Sequence, residues 1–295
     1  MIISVSARTR LPIFFTVLFL FFTGCEKDSG ITLNNIVQQG DNINADTITL
    51  VGRQRVISLP TGNYTYPVSQ ALLWAPVTYQ NGIQTGKTYP LIINLYGQGT
   101  CGTDITKLAK GKRMSGFIAR GFNATAVNPV DGKKYEFFVC SPQCPVSWGW
   151  SAPHVYNMLA QLKKSYPIDT TRIYITGSSA GGWGLWSCVT DNDNLTKQFA
   201  AIIPMSATAA DHPDKLTNVG KYKIACLNIC GDQDAFYPNA VQYTKIINSA
   251  NPPIPAKLNT LPGVGHEAHQ YGCDSAWKTM DGINIYEWML QYKRS

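Results

Sequence analysis

The stretch RIYITGSSAGGWGLW, residues 172–186, limits what this chain can fold into more than any other. Ile173 and Ile175 alternate as in a strand, Gly177-Ser178-Ser179-Ala180-Gly181 fills the pattern G-x-S-x-G, and Gly182-Trp183-Gly184-Leu185-Trp186 can open a helix. A serine on so abrupt a corner takes strained dihedrals. Glycines two residues to either side remove the side chains that would strike the adjoining strand and helix. The Ser179 hydroxyl is therefore expected to stand clear above a sheet as a candidate nucleophile.

A sheet is what the surrounding text predicts. Short apolar runs recur as YPLIINLY, ATAVNPV or FFVCS, RIYITG, AAIIPMS, IACLNIC and AKLNTLP, with helix-length spacers between several of them. Val155, Leu159, Leu162 and Tyr166 share one helical face before Pro167, and Ile285, Trp288, Met289 and Tyr292 predict a terminal helix. Apolar strands alternating with helices give a mostly parallel sheet flanked by helices. TITLVGRQRVISL and ALLWAPVTY add antiparallel edge or hairpin strands at the N-terminal side, and Asn81-Gly82 marks a turn. With 44% apolar and 15% charged residues, the expectation is one α/β catalytic domain over residues 46–295.

An unassisted serine hydroxyl is a poor nucleophile, so the corner demands a base and a group that orients it. Only His154, His212, His266 and His269 are available. The chain order serine, acid, histidine excludes His154, and His212 precedes every good acid. His266, on the glycine-flanked loop LPGVGHEAH, is the expected base, with His269 as second choice. For the acid, ICGDQDAFYP ends a strand and offers Asp232 and Asp234; Asp234 is the expected orienter, with Asp232 bracing the loop. The negative oxygen of a tetrahedral intermediate needs N–H donors. Gln98, between Gly97 and Gly99, and Ala180, directly after the nucleophile, supply the expected backbone amides. This chemistry requires no metal and no organic cofactor.

The first 24 residues read as a signal peptide: Arg8 and Arg10 precede twelve residues, Leu11 to Phe22, too few to cross a bilayer as a helix. Thr23-Gly24-Cys25 matches a bacterial lipoprotein processing site, with Cys25 as the lipidated residue and membrane anchor, and residues 25–45 as a tether or irregular segment. The expected location is exported, in the periplasm or on the outer-membrane surface. Of eight cysteines, seven follow Cys25, and export makes disulfides an expectation for them. The net charge of +7 becomes +5 without Arg8 and Arg10, a mild excess with no basic block and no nucleic-acid-binding stripe. No obligate protein partner is evident.

YPLIINLYGQG, FFVCSPQCP followed by Trp148 and Trp150, YPIDTTRIYITGSSAGGWGLW, FAAIIPMSA, ICGDQDAFYP and LPGVGHEAH resemble, in order and spacing, a family of serine esterases of the α/β-hydrolase fold. It includes feruloyl and acetylxylan esterases, polyhydroxyalkanoate depolymerases and a "predicted peptidase" subgroup. The resemblance covers residues 70–293. It implies Ser179 as nucleophile, Asp234 as acid, His266 as base and the Gln98 and Ala180 amides as oxyanion donors. Tyr96-Gly97 stands where many members have His-Gly, and His269 where many have Trp. Trp148, Trp150 and His269 are the expected substrate-binding residues. Together with export, the resemblance implies acetyl or feruloyl esters of plant polysaccharides or their fragments as substrates. A serine peptidase and a non-catalytic glycan-binding lipoprotein are the alternatives.

Overall fold

The apolar runs singled out above become the centre of a nine-stranded sheet. The computed structural model describes residues 49–79 and 86–295, and Ala45–Ser295 forms one compact unit. The signal segment 1–24, the tether 25–45 with Cys25, and the Asn81-Gly82 turn lie outside the described residues.

In chain order the strands are β1 (Leu50–Val51), β2 (Gln54–Ser58), β3 (Gln70–Trp74), β4 (Tyr89–Leu95), β5 (Thr125–Val127), β6 (Lys134–Glu136) and β7 (Phe138–Pro142). They continue with β8 (Ile168–Ser178), β9 (Ala201–Met205), β10 (Ala225–Gly231) and β11 (Lys257–Leu261). The helices are α1 (Met114–Ala119), α2 (Ala152–Ser165), α3 (Ala180–Thr190), α4 (Asp193–Thr196), α5 (Thr217–Lys221), α6 (Tyr237–Ser249), α7 (Ala268–Gly272) and α8 (Ile285–Leu290). The sheet order is β1-β2-β3-β7-β4-β8-β9-β10-β11. From β7 to β11 every pair is parallel, whereas β1, β2 and β3 join antiparallel. This is the mostly parallel sheet with antiparallel N-terminal strands that the sequence predicts.

All seven residues of β4 are buried, as expected of a strand covered on both faces. Its side chains alternate between two cores. Leu91, Ile93 and Leu95 pack with Val155 and Leu159 of α2 and Leu185 of α3. Ile92 packs with Met114 and Ile118 of α1 and with Ile285 and Trp288 of α8. α2 ends at Ser165, with Tyr166 as an extended C-cap immediately before Pro167, whose ring forbids another turn.

The hairpin strands expected in TITLVGRQRVISL are present: Gly52 and Arg53 take positive φ, 50° and 68°, and reverse the chain between β1 and β2. ATAVNPV supplies β5, which pairs with β6 in a separate two-stranded sheet, and FFVCS supplies the central β7. The disulfides are corrected, because all seven described cysteines are free thiols. Cys226 and Cys230 lie four positions apart on β10, about 13 Å by strand rise and beyond the reach of an S–S bond. The Cys140 thiol points at Met158 Sδ, 3.7 Å away, inside the core. Burial pushes the thiols of Cys140 and Cys226 up to about 12, so they serve as small apolar fillers.

Candidate active site

Each candidate catalytic side chain stands just beyond the carboxyl end of a parallel strand, where open α/β sheets place their ligands. Ser179 follows β8, Asp234 follows β10, and His266 follows β11. The last residues of β8, Gly177 and Ser178, pair with Leu95 of β4 and Met205 of β9, so the corner projects from the middle of the sheet.

Ser179 has φ 53° and ψ −123°, a strained conformation for a residue with a side chain. The glycines of the motif explain how the strain is held. A Cβ on Gly177 would lie 2.4 Å from Gly181 O, and one on Gly181 would lie 2.2 Å from Leu95 O. Strand, corner and helix meet at backbone contact. The Ser179 N–H donates to the carbonyls of Met205 and Ser206, at 3.3 and 3.2 Å, while Thr208 donates its own N–H back to Ser179 O at 3.3 Å. The hydroxyl is left free to face outward.

His266 Nε2 lies 2.8 Å from Ser179 Oγ, and its Nδ1 lies 3.0 and 3.1 Å from the two carboxylate oxygens of Asp234. In the tautomer with Nδ1 protonated, the imidazole donates to Asp234 and accepts from the serine. The Asp234 side chain is 1% exposed and that of His266 43%, so the acid is enclosed and the base faces the cavity. Burial raises the Asp234 carboxyl, but hydrogen bonds from the Phe236 amide and the Ser206 hydroxyl, with the His266 charge, outweigh it and leave the group below its ordinary value. Asp234 therefore stays ionised. Gly231 lets the two loops meet, since a Cβ there would sit 2.0 Å from Val264 O. Asp232 turns away from the histidine and accepts from the Gly263 N–H at 2.8 Å, tying the acid loop to the base loop.

Gln98 and Ala180 are the first residues of their helical turns, whose opening N–H groups have no partner inside the helix. Both border the same cavity of about 410 Å³ as Ser179 and His266. Gly97 is required beside them, because a Cβ there would lie 2.8 Å from Ser179 Cβ. Both amides thus open helical turns beside the nucleophile, the place where an oxyanion hole would be built. Tyr96, which stands where many members of the resembling family have histidine, precedes this turn, and its buried hydroxyl accepts from the Ser115 N–H at 2.8 Å.

The substrate-binding expectations divide. Trp148 borders the cavity, is 54% exposed, and meets Trp183 edge-on at 6.0 Å. His269 also borders it. Trp150 is a correction: it is buried, with the indole against Gly184 of α3 and its Nε1–H donating to Tyr96 O at 3.1 Å. It supports the strand that leads into the oxyanion turn and does not line the cavity. Sequence reasoning missed Ser206, whose φ is 45° and whose hydroxyl accepts from the Ala268 N–H at 3.3 Å. Ser206 thus touches nucleophile, acid and base segments at once, and nothing in the run AAIIPMS distinguishes it from an ordinary strand end. Phe236, 5.6 Å from the His266 ring, and Arg113 border the cavity and were also missed.

Burial, with the positive charges of Arg113 and protonated His266 nearby, pushes the His269 imidazole down to about 4 from 6.5. A histidine held neutral in the fold binds fewer protons than in the unfolded chain between those values. Its contribution to stability is full above pH 6.5 and is lost as pH falls toward 4. His269→Gln is expected to remove on the order of 2 to 3 kcal/mol of that acid destabilisation. Denaturant melts at pH 7 and pH 4.5 check it; equal slopes in both proteins contradict it.

No protein-family model matches the sequence, and no curated protein matches it. Among solved structures, the fold is similar to that of a thermostable esterase, with a TM-score of 0.57 and 22% identity over 83% of this chain and 64% of that one. It is similar to a feruloyl esterase module from Clostridium thermocellum complexed with sinapinate, at 0.54 and 13% over 82% of this chain and 88% of that one. It is also similar to the fluorophosphonate-binding serine hydrolase F of Staphylococcus aureus, at 0.53 and 15% over 81% and 99%. The chain thus spans just under two thirds of the length of the thermostable esterase. The sheet order and these likenesses define the α/β-hydrolase fold.

Proposed function

We propose that this protein hydrolyses carboxylic esters through an acyl-enzyme on Ser179. The observation that carries the reading is the continuous path Ser179 Oγ to His266 Nε2, 2.8 Å, and His266 Nδ1 to Asp234, 3.0 Å. Ser179 Oγ attacks the ester carbonyl carbon and its proton passes to His266 Nε2. The carbonyl oxygen becomes negative against the Gln98 and Ala180 amides. His266 then protonates the alcohol oxygen as the C–O bond breaks, leaving the acyl group on Ser179. Water attacks that acyl carbon as His266 takes its proton; the bond from the acyl carbon to Ser179 Oγ then breaks, His266 returns the proton to Oγ, and the carboxylic acid leaves. Asp234 remains an anion throughout and steadies the imidazolium.

The likeness to a feruloyl esterase module and the exposed Trp148 at the cavity support acetyl or feruloyl esters of plant polysaccharides as the substrate class. Attachment through lipidated Cys25, with display in the periplasm or on the outer-membrane surface, belongs to the same proposal and rests on the Thr-Gly-Cys pattern. A panel of acetylated xylan fragments, methyl ferulate, 4-nitrophenyl acetate and peptide anilides tests the reading. Esters are expected to turn over, anilides not, and Ser179→Ala is expected to lose about 10⁴-fold or more in rate. Preferred cleavage of anilides, or ester hydrolysis that survives Ser179→Ala, contradicts it.

A further inference from the structure

We propose that Arg113 makes this site select esters that carry a carboxylate, an inference that rests on the hydrolytic reading of Ser179. Among the described residues Arg113 is the only Lys, Arg, Asp or Glu that borders the cavity. Among the described residues its guanidinium has no acidic partner; Nη1 donates to the Lys110 carbonyl at 3.1 Å. Nη2 lies 3.5 Å from where a Cβ on Gly99 would stand, so the bare glycine beside Gln98 leaves the guanidinium open toward the oxyanion turn. A half-buried cation without a counter-charge, bordering the cavity that holds Ser179, is a receptor for an anion.

Two further observations point the same way. His269 borders the same cavity, and its neutral ring adds no charge there. The approach is basic as well. Lys107, Lys110 and Lys112 are exposed beside Arg113, and residues 105–120 contain no acid. The preceding Asp104 is engaged by the Thr106 N–H and hydroxyl, at 3.0 and 2.6 Å. Asp234, enclosed behind His266, shows the cavity no negative face. The whole-chain balance of +7 hid this cluster, because acids elsewhere dilute it in the sum. A positive rim raises the local concentration of anionic substrates and speeds their encounter. The exposed Trp148 indole suits the face of a sugar ring, so an acylated uronate satisfies all three features together.

The test compares matched esters. On the acyl side, the 4-nitrophenyl half-ester of adipic acid is set against 4-nitrophenyl hexanoate. On the alcohol side, O-acetylated glucuronic acid is set against O-acetylated glucose. The kcat/KM ratio of charged to neutral ester is expected to exceed about tenfold in at least one pair. Arg113→Met is expected to cut that ratio about 10- to 100-fold, with partial recovery in Arg113→Lys. Because the readout is a ratio, a general loss of activity leaves it unmoved. A binding arm needs no turnover: glucuronate titrated into Ser179→Ala is expected to bind at least tenfold more weakly when Arg113→Met is added. If neutral esters turn over as well as charged ones and neither ratio nor binding responds to Arg113, the inference falls and the hydrolytic reading stands. If no ester is cleaved while glucuronate binding still depends on Arg113, the hydrolytic reading falls and Arg113 remains an anion-binding residue without the selectivity proposed for it.

Discussion

His266→Ala is expected to lower kcat/KM for ester hydrolysis by about 10⁶-fold while leaving the protein folded. Among the described residues the imidazole is the only base hydrogen-bonded to Ser179 Oγ, and without it the hydroxyl must lose its proton to water. Asp234→Asn is expected to cost less, about 10⁴-fold, since it keeps the shape of the pair but reverses the tautomer preference of the ring. Residual rate in both comes from the Gln98 and Ala180 amides. With a side chain 43% exposed, His266 adds little to the core, so the change in stability should stay within about 1 kcal/mol. Steady-state kinetics beside thermal melts check the pair. A loss of less than 100-fold in His266→Ala means that a different base serves Ser179.

The second large effect concerns a residue with no side chain. Gly231→Ala would set a Cβ 2.0 Å from Val264 O and 2.6 Å from Gly265 O, both backbone atoms of the loop that carries His266. Neither moves without moving the base. Overpacking of this kind costs about 1 to 3 kcal/mol, or roughly 2 to 12 °C in Tm for a domain of this size. Displacing the imidazole by about 1 Å from its 2.8 Å contact adds about a 10²-fold loss of rate. Gly265→Ala is the matched control on the same loop. Its Cβ would meet only the end of the exposed Glu267 side chain, 3.3 Å away, which can swing aside. Melts and kinetics of both variants should separate widely; equal and small effects would show that the two loops do not depend on close backbone contact.

The centre of the fold was legible because β4, β9 and β10 are covered on both faces and so appear as unbroken apolar runs. The corner at Ser179 was legible for a steric reason: only glycine fits at 177 and 181, and that requirement is written into the sequence. Placing His266 relied on the scarcity of histidine. What escaped the sequence is contact across the chain. Trp148 and Trp150 are two residues apart and chemically identical, yet one faces the cavity and the other packs on Gly184, because the positive φ of 58° at Trp148 turns the chain between them. Ser206 and Arg113 likewise gain their positions from neighbours distant in the chain. Export suggested disulfides, whereas all seven described cysteines are free thiols.

The central claim is that the Ser179 hydroxyl is activated by His266. Treating the folded protein with a fluorophosphonate and mapping the adduct by peptide mass spectrometry tests it most directly. The account requires one phosphonyl group on Ser179, formed rapidly in the wild type and slowed by several orders of magnitude in His266→Ala. Labelling at another residue, or an equal rate in both proteins, would contradict it.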